Sequence, residues 1–268
     1  MSNIHATAQV DPSAKLGTNV EIGPYCVIGP DVELCDNVVL RAHVVVEGRT
    51  SIGADCKVFP FVSLGLEPQD IKYKDDPSAL TIGPNTLVRE HVTVHRGTTS
   101  GDMATRVGAN CFLMIGAHVA HDCQIGDNVT LVNGVTLGGH VSVGEGAIIG
   151  GLSAVHQFVR IGSYSFVGGM SGVAADLIPF GMGIGNRANL NGLNIVGLKR
   201  KGCRREEIHE LRQAYRMLFS SEGTLKERLE DVEHMFSNNV LAKQIIDFIK
   251  SESGRSFCVP NNVATPTR

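Results

Sequence analysis

Between positions 113 and 160, four histidines stand among small and aliphatic residues: His118, His121, His140 and His156. Two chemistries suit such a set. Three imidazoles can ligate zinc and leave one coordination position for a water that the metal makes nucleophilic. Alternatively, one neutral imidazole held by a carboxylate takes the proton from a hydroxyl and so starts an acyl transfer. His121 is followed directly by Asp122, which could orient its ring, and Gly139, beside His140, leaves a backbone N–H open to a developing oxyanion.

The elements that must position these residues follow from an unusual period. From Ile4 an aliphatic residue returns every six positions, through Val10, Leu16, Ile22, Ile28, Leu34, Leu40, Val46, Ile52 and Val58 to Leu64. Glycine is frequent directly after it, as at Gly17, Gly23, Gly29 and Gly53. A period of six fits neither the 3.6 of a helix nor the alternation of a long strand. It fits a hexapeptide β-helix, in which three hexads close one triangular coil and residues 18 apart stack in ladders. The pattern lapses over 66–80 and resumes in the same frame at Ile82, then lapses around 98–106 with a shift of one. From Val107 it runs unbroken to Val173. The hexads at Val119, Leu137 and Val155 are spaced by 18, which predicts that His121, His140 and His156 are neighbours up one face. A single histidine on a turn is usually a surface residue, whereas a set in register calls for a function.

The array ends near residue 185, after Pro179, Gly181, Gly183 and Gly185, and 186–202 reads as a linker. Helical spacing follows at Ile208, Leu211 and Leu218, then at Leu225, Leu229 and Val232 after the capping box Thr224 to Glu227, then at Leu241, Ile245 and Ile249. The expected architecture is therefore all-β over 1–185 with a small α-helical domain over 186–268 that caps the open end of the prism. His91 and His95 are expected to be structural. Lys199, Arg200, Lys201, Arg204 and Arg205 form a basic cluster suited to an acidic protein partner.

Composition narrows the classes further. A net charge of −3 argues against a general nucleic-acid binder. No apolar run of about 18 residues and no signal-like start appear, so no transmembrane segment is expected and the cytoplasm is the expected location. Seven cysteines without a CxxC pair, four of them (Cys26, Cys56, Cys111, Cys123) in one small-residue slot of the repeat, read as reduced core residues.

Several motifs carry a resemblance. Gln69-Asp70-Ile71-Lys72-Tyr73, His91-Val92-Thr93-Val94-His95-Arg96-Gly97, the heptad Ala117-His118-Val119-Ala120-His121-Asp122-Cys123, Gly139-His140-Val141, Ala154-Val155-His156-Gln157-Phe158 and Gly197-Leu198-Lys199-Arg200 are similar to those of the UDP-N-acetylglucosamine acyltransferases of lipid A synthesis, within the hexapeptide-repeat acyltransferase superfamily. The resemblance spans almost the whole chain. It implies a left-handed coil and a homotrimer with sites between neighbouring prisms. It also implies transfer of an R-3-hydroxyacyl group from acyl carrier protein to the sugar 3-OH, the first step of lipid A synthesis. His121 would be the general base, Asp122 its orienter and Gly139 the oxyanion donor. His118, His140, His156, Gln157, Asp70, Lys72, Asn194 and Arg200 would bind substrate, and Gly169 would occupy the position that sets acyl length, its lack of a side chain favouring a relatively long chain. Lys199, Lys201, Arg204 and Arg205 would dock the carrier. No metal and no cofactor beyond the carrier's phosphopantetheine thioester are expected. Val196 stands where relatives can carry an acidic residue, and the 3-amino analogue of the sugar is an alternative acceptor. The runner-up of another class is a zinc lyase resembling the β-helical carbonic anhydrases, whose ligand spacing differs from His118-x-x-His121; a non-enzymatic scaffold would have no use for converging histidines.

Overall fold

In the computed structural model, which describes residues 2–251 and 253–261, the period of six becomes short strands separated by tight corners. Most strands are two residues long, from Asn3–Ile4 to Gly172–Val173, and they stack in three parallel sheets. Asn3–Ile4 opens the first sheet, Gln9–Val10 the second and Lys15–Leu16 the third. Partners are 18 residues apart: Glu21 faces Val39, and His118 faces Thr136. The aliphatic ladder fills the interior, so that Leu64, Val94, Val119 and Leu137 are fully buried. A core of Ile, Val and Leu fits because a triangular prism has no room for larger rings.

Many corners place one residue in the left-handed region. Asn19, Asn37, Asn85, Asn110 and Asn128 take it between the third and first sheets, as asparagine tolerates φ near +57°. Between the first and second sheets it is taken by Tyr25, His43, Phe61 and His91, whose rings stack at 5.0–5.1 Å. Between the second and third sheets the same slot holds Asp122, His140 and Phe158.

Both lapses of the repeat leave from this last corner. The first runs between the strands Ser63–Leu66 and Ala79–Ile82, and the register widens there from 18 to 30, with Ser63 opposite Thr93. The second lies between Thr93–His95 and Ala104–Val107, so it starts and ends two or three residues earlier than the sequence pattern implies. The reason is pairing: Ala104–Val107 extends across four residues against Ala79–Ile82, which draws Ala104 and Thr105 out of the expected loop.

The segment 186–202 is not a linker. Gly181–Ile184 joins the first sheet in parallel beside Phe166–Val167, and Asn189–Leu193 turns back antiparallel on it. Helix α1 (Ile195–Arg200) follows, then α2 (Arg205–Leu218), α3 (Leu225–Met235) and α4 (Val240–Lys250), one helix more than the sequence pattern indicates. The capping box at Thr224 forms, with the Glu227 carboxylate accepting from the Thr224 N–H at 2.7 Å. After α4 the chain returns to the prism, where Asp176 and Phe257 form a parallel bridge.

Candidate active site

The corner slot of Asp122, His140 and Phe158 is the centre of the site. Asp122 is buried, and its carboxylate accepts three hydrogen bonds. Oδ1 accepts from the Thr98 N–H at 3.0 Å; Oδ2 accepts from the Thr98 hydroxyl at 2.6 Å and from His121 Nδ1 at 2.8 Å, with His140 Nε2 at 3.9 Å. Its own N–H donates to the Thr105 hydroxyl at 2.8 Å. Burial pushes the Asp122 carboxyl up, but the hydrogen bonds from His121 and Thr98, with His140 beside them, outweigh it and hold the group below its usual range. An ionised carboxylate only accepts, so the shared proton sits on His121 Nδ1 and the lone pair on Nε2. That is the tautomer a general base requires.

Gly139 is buried beneath this imidazole. A Cβ built there would meet His121 Cε1 at 2.6 Å and Nε2 at 2.7 Å, so the absent side chain is the space the base occupies. Its backbone N–H donates to no acceptor among the described residues, whereas its carbonyl accepts from Phe158 at 3.0 Å.

His140 lies edge-on to His121 (centroids 5.0 Å apart) and flat against Phe158 (4.4 Å, 5°). Burial lowers its pKa, while the carboxylates of Asp122, Asp102 and Asp70 oppose the shift. Asp70, on the first excursion, is thereby placed within electrostatic reach of the site. It accepts from the Lys72 N–H at 2.9 Å in a tight turn, and Lys72 is exposed. The excursion is tied down in its second half: Arg96 donates to the Tyr73 hydroxyl, and Asp76 accepts from the Thr99 N–H at 3.1 Å. One chain of bonds therefore runs from the first excursion through Asp76, Thr99 and Thr98 to Asp122.

His118 lies on the outer face of the second sheet, its Nδ1 2.7 Å from the Thr93 hydroxyl opposite it. Burial lowers its pKa, and His121 adds to the shift. His95, read from the sequence as structural, is edge-on to His118 at 5.0 Å and belongs to the same group. Burial, then the positive charge of His118 and His121, lowers its pKa to about 4, and its Nδ1 has no hydrogen-bond partner among the described residues. In the folded protein His95 therefore stays neutral where an unfolded histidine, with a pKa near 6.5, takes up a proton. The unfolded state binds more protons between pH 6.5 and 4, so stability falls as the pH falls through that window. Between pH 7 and 5 the His95 contribution is a loss of about 2 kcal/mol. Urea unfolding at one protein concentration should show this loss shrinking by that amount in His95→Gln; an equal loss in both proteins excludes the assignment.

The coil arithmetic that joined His156 to His121 and His140 is corrected by the structure. The ring stacked on His140 is Phe158, because 18 residues on from His140 is Phe158, while 18 back from His156 is Gly138. His156 and Gln157 are exposed on the next coil of the same corner, and His156 Nδ1 meets Arg255 at 2.8 Å. Two imidazoles and a carboxylate, those of His121, His140 and Asp122, have potential ligand atoms within 4.8 Å of one another. The carboxylate is already engaged by His121 and Thr98, which suits a proton-transfer pair better than a three-histidine zinc centre.

The remaining predicted residues sit farther out. Asn194 caps α1, accepting from the Gly197 N–H at 2.9 Å and donating to the Tyr164 carbonyl at 2.9 Å. Lys199, Arg200, Lys201, Arg204 and Arg205 are all exposed; Arg204 pairs with Glu207 at 2.8 Å, and Lys201 Nζ lies 3.4 Å from the centre of the Tyr164 ring. Val196 is exposed on α1. Gly169 lies at the corner between the first and second sheets, where a Cβ would meet only the Gly151 backbone, at 3.4 Å or beyond. Thr93, Thr98 and Thr105 escaped sequence reading because the lapses change the spacing from 18 to 25, placing Thr93 opposite His118.

The chain is similar to known proteins along nearly its full length. The bacterial transferase hexapeptide model matches residues 13–48 and 104–139, and the model for domain 2 of UDP-N-acetylglucosamine O-acyltransferase matches 176–258. The acyl-[acyl-carrier-protein]–UDP-N-acetylglucosamine O-acyltransferase of Bartonella henselae is 47% identical over 97% of this chain and 94% of its own length. That of Caulobacter vibrioides is 50% identical over 96% and 98%. The solved structure of LpxA from Acinetobacter baumannii superposes with a TM-score of 0.90 at 41% identity, covering 94% of this chain and 98% of that one. That of the UDP-N-acetylglucosamine O-acyltransferase from Moraxella catarrhalis gives 0.92 at 39% identity, covering 95% and 99%. The fold is accordingly a left-handed parallel β-helix with a small C-terminal helical part. With this fold and these relatives along nearly its full length, the chain belongs to the UDP-N-acetylglucosamine O-acyltransferase family.

Proposed function

We propose that the protein transfers an R-3-hydroxyacyl group from acyl carrier protein to the 3-hydroxyl of UDP-N-acetylglucosamine, the first step of lipid A biosynthesis. The observation that carries this reading is His121, its Nδ1 proton held by the buried Asp122 carboxylate and its Nε2 lying over Gly139. Nε2 takes the proton of the sugar hydroxyl as that oxygen attacks the thioester carbonyl. The carbonyl oxygen gains negative charge, and the Gly139 N–H is available to receive it. Collapse of the tetrahedral adduct breaks the C–S bond, and the imidazolium returns its proton to the departing thiolate. Nothing else is consumed, so the reaction needs no cofactor beyond the carrier's own phosphopantetheine thioester.

His118, His140, His156 and Gln157 line the face on which the substrates meet, with Asp70 and Lys72 reaching in from the first excursion and Asn194 and Arg200 from the C-terminal side. Gly169, with open space over its Cα, accommodates a relatively long acyl chain. Carrier docking falls to Lys199, Lys201 and Arg205, since the charge of Arg204 is offset by Glu207. A homotrimer is supported by apolar surface with no cover in one chain: Ile71 is fully exposed at the tip of the first excursion, and Tyr25, Phe61, Leu152 and Met170 line one edge of the prism. No helix among the described residues is long and apolar enough to cross a membrane, and all seven cysteines are unpaired, in keeping with a reducing cytoplasm.

The test is direct. Purified protein incubated with UDP-N-acetylglucosamine and R-3-hydroxyacyl carrier protein should release free carrier thiol and form the 3-O-acyl sugar nucleotide in equal amounts. Absence of acylated product with a series of acyl lengths would exclude the reading.

A further inference from the structure

Beyond α4 the chain does not simply end but is pinned back onto the prism. Asp176, fully buried, accepts from the Arg160 backbone at 2.9 Å, from Arg160 Nε at 2.8 Å and from the Ser253 hydroxyl at 2.6 Å. Its N–H donates to the Ser256 carbonyl and its carbonyl accepts from the Cys258 N–H, both at 2.8 Å. Phe257, Cys258 and Val259 are buried behind it. Arg160 adds a second tie through the Ser251 hydroxyl at 2.6 Å and the ring of Phe248, so the C-terminal end of α4 is fixed as well. Arg255 lies between the anchors at Ser253 and Ser256. Its position is therefore set by the fold, and its guanidinium reaches across 99 residues of sequence to His156 Nδ1 at 2.8 Å.

A guanidinium is always charged and only donates, so the nitrogen it faces must be the one that accepts. The same nitrogen of His156 is 3.2 Å from the Gln157 carbonyl, which could take a proton from it only if Nδ1 carried one. The two contacts demand opposite tautomers. The shorter, charge-assisted one governs. His156 then carries its proton on Nε2, which becomes a donor. His121 is the mirror case, because Asp122 accepts from its Nδ1 and leaves Nε2 as an acceptor.

We infer that Arg255, on the C-terminal return segment, is a positioning residue that fixes His156 as the Nε2–H tautomer and so makes it a hydrogen-bond donor to substrate. The inference rests on the proposed substrate-binding role of His156. It gives the return segment a part in the site: one corner of the prism carries two imidazoles of opposite polarity, one fixed by an anion and one by a cation. The acceptor for His156 would be a carbonyl or hydroxyl oxygen, because a group that itself needed to donate would find no lone pair there.

Two measurements test it on the full-length protein. The first uses ¹⁵N-histidine labelling, with the His156 signals assigned by their loss in His156→Ala. The wild-type protein and Arg255→Lys should show the Nε2–H form, and Arg255→Met should shift toward Nδ1–H as the Gln157 carbonyl takes over. Wild-type His156 protonated on Nδ1 overturns the proposal. The second is steady-state kinetics. Arg255→Met should lower kcat/KM about tenfold or more, the scale of losing one charge-assisted hydrogen bond. Arg255→Lys should restore most of the loss, and in the His156→Ala background Arg255→Met should cost nothing further. An equal loss in both backgrounds means that Arg255 acts elsewhere and overturns the proposal. Full turnover in His156→Ala itself would remove the functional reading of His156, while the tautomer measurement would still decide what Arg255 does to the ring.

Discussion

Asp122→Asn is expected to lower kcat by a factor on the order of 10³–10⁴ while leaving the fold intact, the scale seen when the carboxylate that orients a catalytic histidine becomes an amide. The reason lies in the tautomer. Asn can still accept the Thr98 N–H through its one oxygen, as Asp122 Oδ1 does at 3.0 Å, and its NH₂ can turn to the Thr98 hydroxyl and to His121. An amide hydrogen facing His121 Nδ1 forces that nitrogen to accept, which moves the imidazole proton to Nε2. The base then has no lone pair for the sugar hydroxyl. Because the change acts on proton transfer, the loss should fall on kcat, with KM for UDP-N-acetylglucosamine little altered. A decrease of less than tenfold in kcat, or one confined to KM, would exclude orientation as the role of Asp122. The carboxyl is held below its usual range, so it contributes stability above its unfolded pKa, and that contribution is lost only as the pH falls through the lower folded value. Above about pH 5, then, Asp122 stays ionised and adds no pH dependence of its own.

The second large effect is expected from His121→Ala. Removing a general base costs about 10²- to 10⁴-fold in turnover. What remains comes from holding the two substrates together and from the Gly139 N–H. Combining the change with Asp122→Asn should add little, since a carboxylate that acts only through His121 has nothing left to orient. Single-turnover assays of the two single variants and the double variant, with substrates saturating, decide this. Wild-type turnover in His121→Ala would move the base elsewhere, and multiplicative losses in the double variant would show that Asp122 touches the reaction independently.

How much of this could be read from the residues differs from one feature to the next. The stacked three-sided coil is legible in the aliphatic period of six, though its hand is not, and His121 with Asp122 is visible as an adjacent pair. Other members of the site were hidden by register. Thr93 faces His118 across 25 residues and Ser63 faces Thr93 across 30, because residues inserted at a corner shift everything that follows. Thr98 and Thr105, which hold Asp122, fall inside or beside that inserted stretch. The His156 placement failed for a different reason. Coil arithmetic fixes which layer a residue occupies, but the slot within the hexad fixes where its side chain points, and His156 stands two slots before the one that Asp122, His140 and Phe158 share. Segment 186–202 differs from the expected linker because the glycines just before it, which look like terminators, continue the sheet. Gly181 and Gly183 instead lie in a strand that meets the partner strand closely, the Gly183 position packing on Leu177 and Ala188.

The placement of both excursions at a single corner bears on how such an enzyme can be altered. Each coil of a solenoid pairs only with the coils above and below it, and the register on either side of the excursions is the same spacing of 18. Chain added at that corner therefore leaves the order of the strands in each sheet unchanged and alters only the register and length of the pairing beside it. The first excursion reaches Asp122 through the Asp76–Thr99 bond, whereas the second holds it directly through Thr98, so the first is the segment open to replacement. A graft that replaces residues 67–78 but preserves the Tyr73 and Asp76 ties has a route to a new acceptor without rebuilding the chemistry beneath it.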